Sequence, residues 1–149
     1  MYLSLGSNLG DRENQLREAI RRLDAADVHV LRESSIRETE PHDVRDQPWF
    51  LNMVVEAETE LFPKQLLARI QRIESEMGRR RVVPKGPRTI DIDILFYGNA
   101  LVKSAELEIP HPRIPQRRFV LEPLAELAPD LRHPLNRLTV REMLAGLTW

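Results

Sequence analysis

Gly86-Pro87-Arg88-Thr89-Ile90-Asp91-Ile92-Asp93-Ile94-Leu95-Phe96-Tyr97-Gly98 is the stretch that decides the reading of this chain. Gly86-Pro87 predicts a tight turn, and the alternation after it predicts a strand over Ile90 to Tyr97. Side chains two apart in a strand leave the same face, so Asp91 and Asp93 point one way and Ile92, Ile94 and Phe96 the other. Two carboxylates about 6.5–7 Å apart along one face can share divalent cations. Arg79, Arg80, Arg81, Lys85 and Arg88 lie just upstream. A metal-holding acidic pair beside a basic loop suits a nucleoside triphosphate. The plain alternative is a solvated acidic face, although Asp is disfavoured in strands and is used here twice at one spacing.

Working outward, Tyr2-Leu3-Ser4-Leu5 predicts a first strand, ended by the turn Gly6-Ser7-Asn8-Leu9-Gly10. Asp11 is a suitable N-cap for a helix striped by Leu16, Ile20 and Leu23. A second strand runs from Val28 towards Ile36. Residues 37–48, with Pro41, Pro48 and many charges, read as a long loop. Phe50 to Glu58 is a third strand, with Leu51, Met53, Val55 and Ala57 facing a core and Phe50, Asn52 and Val54 the other side. Pro63 opens a second helix, striped by Leu66, Ile70, Ile73 and Met77 and stopped by Gly78. Short segments near Leu101 and Leu107-Ile109 follow the metal strand, and short helices near 118–127 and 139–146 close the chain. Strand, helix, strand, strand, helix, strand is the α+β, ferredoxin-like order: an antiparallel sheet with helices on one face, here with a C-terminal extension.

At 149 residues the chain is expected to form one domain with a substantial core. It has no cysteine, so any metal rests on carboxylates or histidine, which favours a hard ion such as magnesium. A net charge of −1 argues against a general nucleic-acid coat. The positive charge is local, in residues 79–88 and in Arg113, Arg117 and Arg118, which fits a compact polyanion. Neither a membrane span nor a signal peptide is legible, so the expected location is the cytoplasm.

Two further constellations carry chemistry. Phe50 and Phe119 can sandwich a flat heterocycle whose donor and acceptor edge Asn52 reads. Each aromatic is also a reasonable core residue, but Asn is depleted in strand interiors. His111 is held between Pro110 and Pro112, which suits a ligand contact although many loop histidines are incidental. Glu74 adjoins the apolar stripe of the second helix, as a boundary carboxylate or a nucleotide contact.

Taken together, these residues resemble the 6-hydroxymethyl-7,8-dihydropterin pyrophosphokinases of folate biosynthesis. The likeness runs through Leu5-Gly6-Ser7-Asn8-Leu9-Gly10, Asp46-Gln47-Pro48 with Phe50-Leu51-Asn52, Gln71-Arg72-Ile73-Glu74 and Gly78-Arg79. It continues through Gly86-Pro87-Arg88 to Asp93, Pro110-His111-Pro112, and Arg117 with Phe119. The resemblance implies transfer of a diphosphate from ATP to the pterin hydroxymethyl group with release of AMP, two magnesium ions and a monomer. It implies that Asp91 and Asp93 are metal ligands and that Arg79 and Arg81 belong to a catalytic loop. It further implies that Gln71, Glu74, Arg88, His111 and Arg117 serve ATP. Gly6, Thr39, Pro41, His42, Phe50, Asn52 and Phe119 would serve the pterin, with Asn8 in the turn beneath. The chain departs from the usual pattern at Lys85, where many members carry an aromatic residue, and at Pro84 and Glu40. On the residues alone, a metal-dependent phosphohydrolase and a non-catalytic nucleotide-binding module remain open.

Overall fold

The computed structural model describes residues 1–40, 46–78 and 89–147. Its elements are β1 (Tyr2–Ser7), α1 (Arg12–Leu23), β2 (Val28–Glu33), β3 (Arg37–Thr39), β4 (Phe50–Thr59), α2 (Pro63–Glu76), β5 (Asp91–Phe96), β6 (Val102–Lys103), β7 (Glu108–Ile109), a 3₁₀ turn at Ile114–Gln116, α3 (Arg118–Leu127) and α4 (Val140–Ala145). Local chemistry sets the ends. Asp11 accepts the Asn14 N–H at the start of α1. Pro63 occupies the first turn of α2, and Gly78, at φ 78°, stops the chain after it.

The main sheet has the order β2-β4-β1-β5, with β3 also on β4, and every pairing is antiparallel. Counting β2 and β3 as one interrupted strand gives the predicted α+β connectivity. One face packs on α1 and α2 through Leu3, Leu5, Met53, Val55, Ile92 and Ile94 against Leu16, Leu23, Leu66 and Ile70. The C-terminal extension folds back across part of the other face. There Val54, Leu95 and Phe96 meet Ile114, Val120, Leu124, Val140 and Met143.

Three local readings change. Residues 37–39, read as loop, form β3, because β4 is long enough to pair with it after leaving β2. Ser34 bridges the break, its hydroxyl accepting the Val54 N–H. Gly6 and Ser7, read as turn, remain paired within β1. Phe96 does not share the face of Ile92 and Ile94. The β1–β5 register shifts by one between Leu3↔Ile94 and Tyr2↔Phe96. The extra residue at Leu95 is a bulge, which turns Phe96 onto the face of Asp91 and Asp93.

Candidate functional site

The register lays out the second face of the sheet in rungs. Arg37 pairs with Asn52, Asn52 with Gly6, and Gly6 with Asp91. The next rung holds Val54, Ser4 and Asp93. At the far end, Tyr2, Phe96 and Val54 lie under the C-terminal helices. The face is thus apolar and covered at one end and polar at the other. With strands about 4.8 Å apart, Asn52 and Asp91 stand on the order of 10 Å from each other across Gly6.

Gly6 has a steric reason to be glycine. A Cβ there would lie 2.8 Å from Asn52 Oδ1 and 3.6 Å from Phe50 Cδ1. The Asn52 amide therefore lies across the backbone of β1, with the Phe50 ring beside it. Asn52 is buried, and its Nδ2 donates to the Thr39 hydroxyl. Thr39 is itself paired with Phe50. Gly6, Thr39, Phe50 and Asn52, which the family resemblance assigns to one pocket, do meet.

Two struts hold the entry to β4. Buried Asn8 donates to Gln47 Oε1 (2.8 Å) and to the Pro48 carbonyl (3.0 Å). Arg12 reaches Glu38 (2.7 Å) and the Trp49 carbonyl (2.8 Å). Phe119 lies in the first turn of α3, half-buried at the margin of the second core, with the Arg117 guanidinium 5.4 Å from its ring centroid. Arg37, opposite Asn52, pairs with Glu122 on the same helix at 3.0 Å, which brings α3 to the β3–β4 end of the sheet.

On the other flank, Asp91 and Asp93 are partly buried on β5. Among the described residues β5 ends the sheet order, and Glu74 from α2 answers its outward backbone: buried Glu74 Oε2 accepts the Ile92 N–H at 2.9 Å. Glu74 therefore acts at least in part as a backbone cap, the boundary role left open by its sequence. Gln71 is exposed one turn earlier on α2. The bulge also has a use, because the Leu95 carbonyl accepts the His111 N–H at 3.0 Å and fixes the segment after β7 beside β5. His111 Nδ1 accepts the Arg113 N–H at 3.2 Å, so in the neutral ring the proton sits on Nε2. Burial pushes the His111 pKa down to about 4, helped by the charges of Arg117 and Arg113 and opposed by Asp91. His111 is thus neutral at pH 7 and offers a donor in a basic corner near the acidic strand.

Among the described residues, no group of three or more His, Asp and Glu could hold a metal. Pro41, His42, Arg79, Arg81 and Arg88 lie outside the described residues. Arg37 and Arg12 are marked by no sequence motif. Their roles depend on strand register and on contacts far along the chain, and no local pattern marks them.

The sequence profile of the 7,8-dihydro-6-hydroxymethylpterin-pyrophosphokinase family matches residues 2–129. The chain belongs to this family. It is 50% identical over 127 residues to the 2-amino-4-hydroxy-6-hydroxymethyldihydropteridine pyrophosphokinase of Bacillus subtilis, covering 85% of this chain and 76% of that protein. It is 46% identical over 140 residues to the folic acid synthesis protein fol1 of Pneumocystis carinii, covering 94% of this chain but 19% of that one. The chain spans about a fifth of the length of that relative. A crystal structure of an HPPK-DHPS in complex with substrates is similar in fold, with a TM-score of 0.76 at 15% identity. That likeness covers 97% of this chain and 44% of that one, and it bears on the fold. No described helix is long and apolar enough to cross a membrane.

Proposed function

We propose that residues 1–149 form a single pyrophosphokinase domain that transfers diphosphate from ATP to the hydroxymethyl group of 6-hydroxymethyl-7,8-dihydropterin, a step of folate synthesis. Family membership supports this reading, as does the name of the Bacillus subtilis relative. The observation that carries it is the rung Asn52–Gly6–Asp91. The polar end of one sheet face holds a buried amide suited to a heterocycle edge and, two strands away, a carboxylate suited to a metal-bound polyphosphate. A phosphohydrolase or a simple nucleotide-binding module needs no such amide wedged against a glycine.

On the pterin side, Asn52 and Thr39 would read the polar edge of the ring, with Phe50 and Phe119 as stacking surfaces and Gly6 as the floor. Pro41 and His42 are assigned to the same pocket. On the nucleotide side, Gln71, Glu74, Arg88, His111 and Arg117 are assigned to ATP. Neutral His111 and the arginines supply donors to phosphate oxygens, and Glu74 steadies β5.

Asp91 and Asp93 fit two magnesium ions. They are oxygen donors on one face of β5, the ligand type that a hard divalent cation takes. When bound, such ions neutralise polyphosphate charge and acidify a neighbouring hydroxyl. The chain's own contribution is to hold the two substrates in line. The hydroxymethyl oxygen bonds to Pβ, the bond from Pβ to the oxygen on the α-phosphate breaks, AMP leaves and the hydroxyl proton passes to solvent. Arg79 and Arg81 are assigned to charge stabilisation during this transfer.

We also assign a cytoplasmic monomer with small-molecule substrates and no nucleic-acid or membrane partner. The near-zero net charge supports the nucleic-acid part of that assignment. The test is chromatographic. AMP must form only when ATP, magnesium and the hydroxymethyl pterin are all present. AMP formation without pterin would overturn the assignment.

A further inference from the structure

The strongest feature outside the substrate-facing residues is a charged clasp between the β2–β3 region and α3. Arg37 Nη1 donates to Glu122 Oε2 at 3.0 Å, and Nη2 reaches Glu126 Oε2 at 3.5 Å. Glu126 is also held by both donors of Ser35, the N–H at 2.9 Å and the hydroxyl at 2.8 Å. Burial alone would raise the Glu126 pKa, but the hydrogen bonds from Ser35 and Arg37 bring it below the usual carboxylate range. Arg118 approaches the second oxygen of Glu122 at 3.6 Å. The clasp joins segments more than 80 residues apart in sequence, |i−j| being 85 for Arg37–Glu122 and 91 for Ser35–Glu126.

Its position gives it meaning. Arg37 is the cross-strand partner of Asn52. Glu122 follows Phe119 by three residues on α3, so the two share one side of the helix. One end of the clasp is therefore anchored beside the amide that reads the heterocycle, and the other beside the ring that would stack on it. These ion pairs are partly exposed, with side-chain exposures of 33–40% for Arg37, Glu122 and Glu126. Pairs of that kind add little to global stability. What they do fix is the distance and angle of α3 relative to β3 and β4, because the planar guanidinium fork engages two carboxylates on one helix.

We propose that Arg37 is a positioning residue for the heterocycle pocket, clamping α3 through Glu122 and Glu126 so that Phe119 is held over the Asn52 end of the sheet. This rests on the pterin reading of that pocket. Arg37 is not a catalytic residue, because it acts through α3.

The test is a set of calorimetric titrations with the hydroxymethyl pterin and, separately, with a non-hydrolysable ATP analogue and magnesium. Arg37→Ala and the near-isosteric Glu122→Gln should weaken pterin binding about five- to twentyfold. Both should leave nucleotide affinity within about twofold and the melting temperature nearly unchanged. Arg37→Lys should recover only part of the loss, because it keeps the charge without the fork. The exchange Arg37→Glu with Glu122→Arg should recover more than Arg37→Glu alone. Unchanged pterin affinity in Arg37→Ala, beside a clear loss in Phe119→Ala, would overturn the positioning role and spare the pocket. Parallel loss of both ligands with a large drop in melting temperature would overturn it too, making Arg37 a general structural residue. Unchanged pterin affinity in Phe119→Ala would remove the pocket reading and the inference with it.

Discussion

Gly6 and Asn52 face each other across β1 and β4, and the Asn52 amide occupies the space a Gly6 side chain would fill, with Oδ1 2.8 Å from a Cβ built there. The contact is to the end of a side chain, so the backbone can survive a methyl group. The amide cannot keep its place, although Thr39 holds its other end. Gly6→Ala is therefore expected to fold and to bind an ATP analogue normally. Pterin binding should weaken by about tenfold or more, the scale of one misplaced buried hydrogen-bonding group. Calorimetry with each ligand checks this. Normal pterin affinity in Gly6→Ala would show that Asn52 does not read the ligand.

The acidic strand predicts metal dependence. Asp91→Asn and Asp93→Asn should each reduce turnover by at least a hundredfold while the far-ultraviolet spectrum stays unchanged, since metal ions bear much of the charge in such transfers. Magnesium titration of the rate is the measurement. Wild-type activity at limiting magnesium in either variant would remove the metal assignment.

Glu74 predicts a stability effect that is separable from catalysis. Glu74→Ala leaves the Ile92 N–H without its carboxylate partner on a buried stretch of β5. The expected cost is about 1–3 kcal/mol in urea unfolding. That corresponds to roughly 3–10 °C in melting temperature for a chain of this size. An unchanged urea midpoint would show that the bond does not matter to the fold.

His111 predicts a pH dependence with a definite sign. Its folded pKa of about 4 lies below the ordinary value of 6.5, so between those values the unfolded chain binds the proton and the folded one does not. Stability from this group is complete above pH 6.5 and is lost as pH falls towards 4. His111→Gln should flatten the stability curve in that window. The imidazole resonances of the folded protein should show a neutral ring at pH 5.5. A midpoint near 6.5 in that titration would contradict the buried, cation-flanked environment.

Much of the fold was legible because its signals are local. The Leu66–Ile70–Ile73 stripe and Gly78 mark α2, and the alternation around Asp91 marks β5. What escaped depends on partners distant in sequence. β3 is three residues long and exists because β4 pairs with it. The Leu95 bulge that turns Phe96 over is a property of the β1–β5 register, which a period-two pattern in one strand does not contain. Gly6, Thr39 and Asn52, which lie together within the sheet, are grouped in advance only by the family resemblance. The clasp from Arg37 to α3 could not be named in advance, because nothing near Arg37 in sequence announces Glu122.

The most direct measurement is ³¹P NMR of a reaction containing the protein, ATP, magnesium and 6-hydroxymethyl-7,8-dihydropterin. The account predicts that ATP signals are replaced by the single resonance of AMP and by the coupled pair of a diphosphate ester on the pterin, in equal amounts. Inorganic phosphate with ADP, or pyrophosphate with AMP and no pterin ester, would mean that water is the acceptor and would contradict the account.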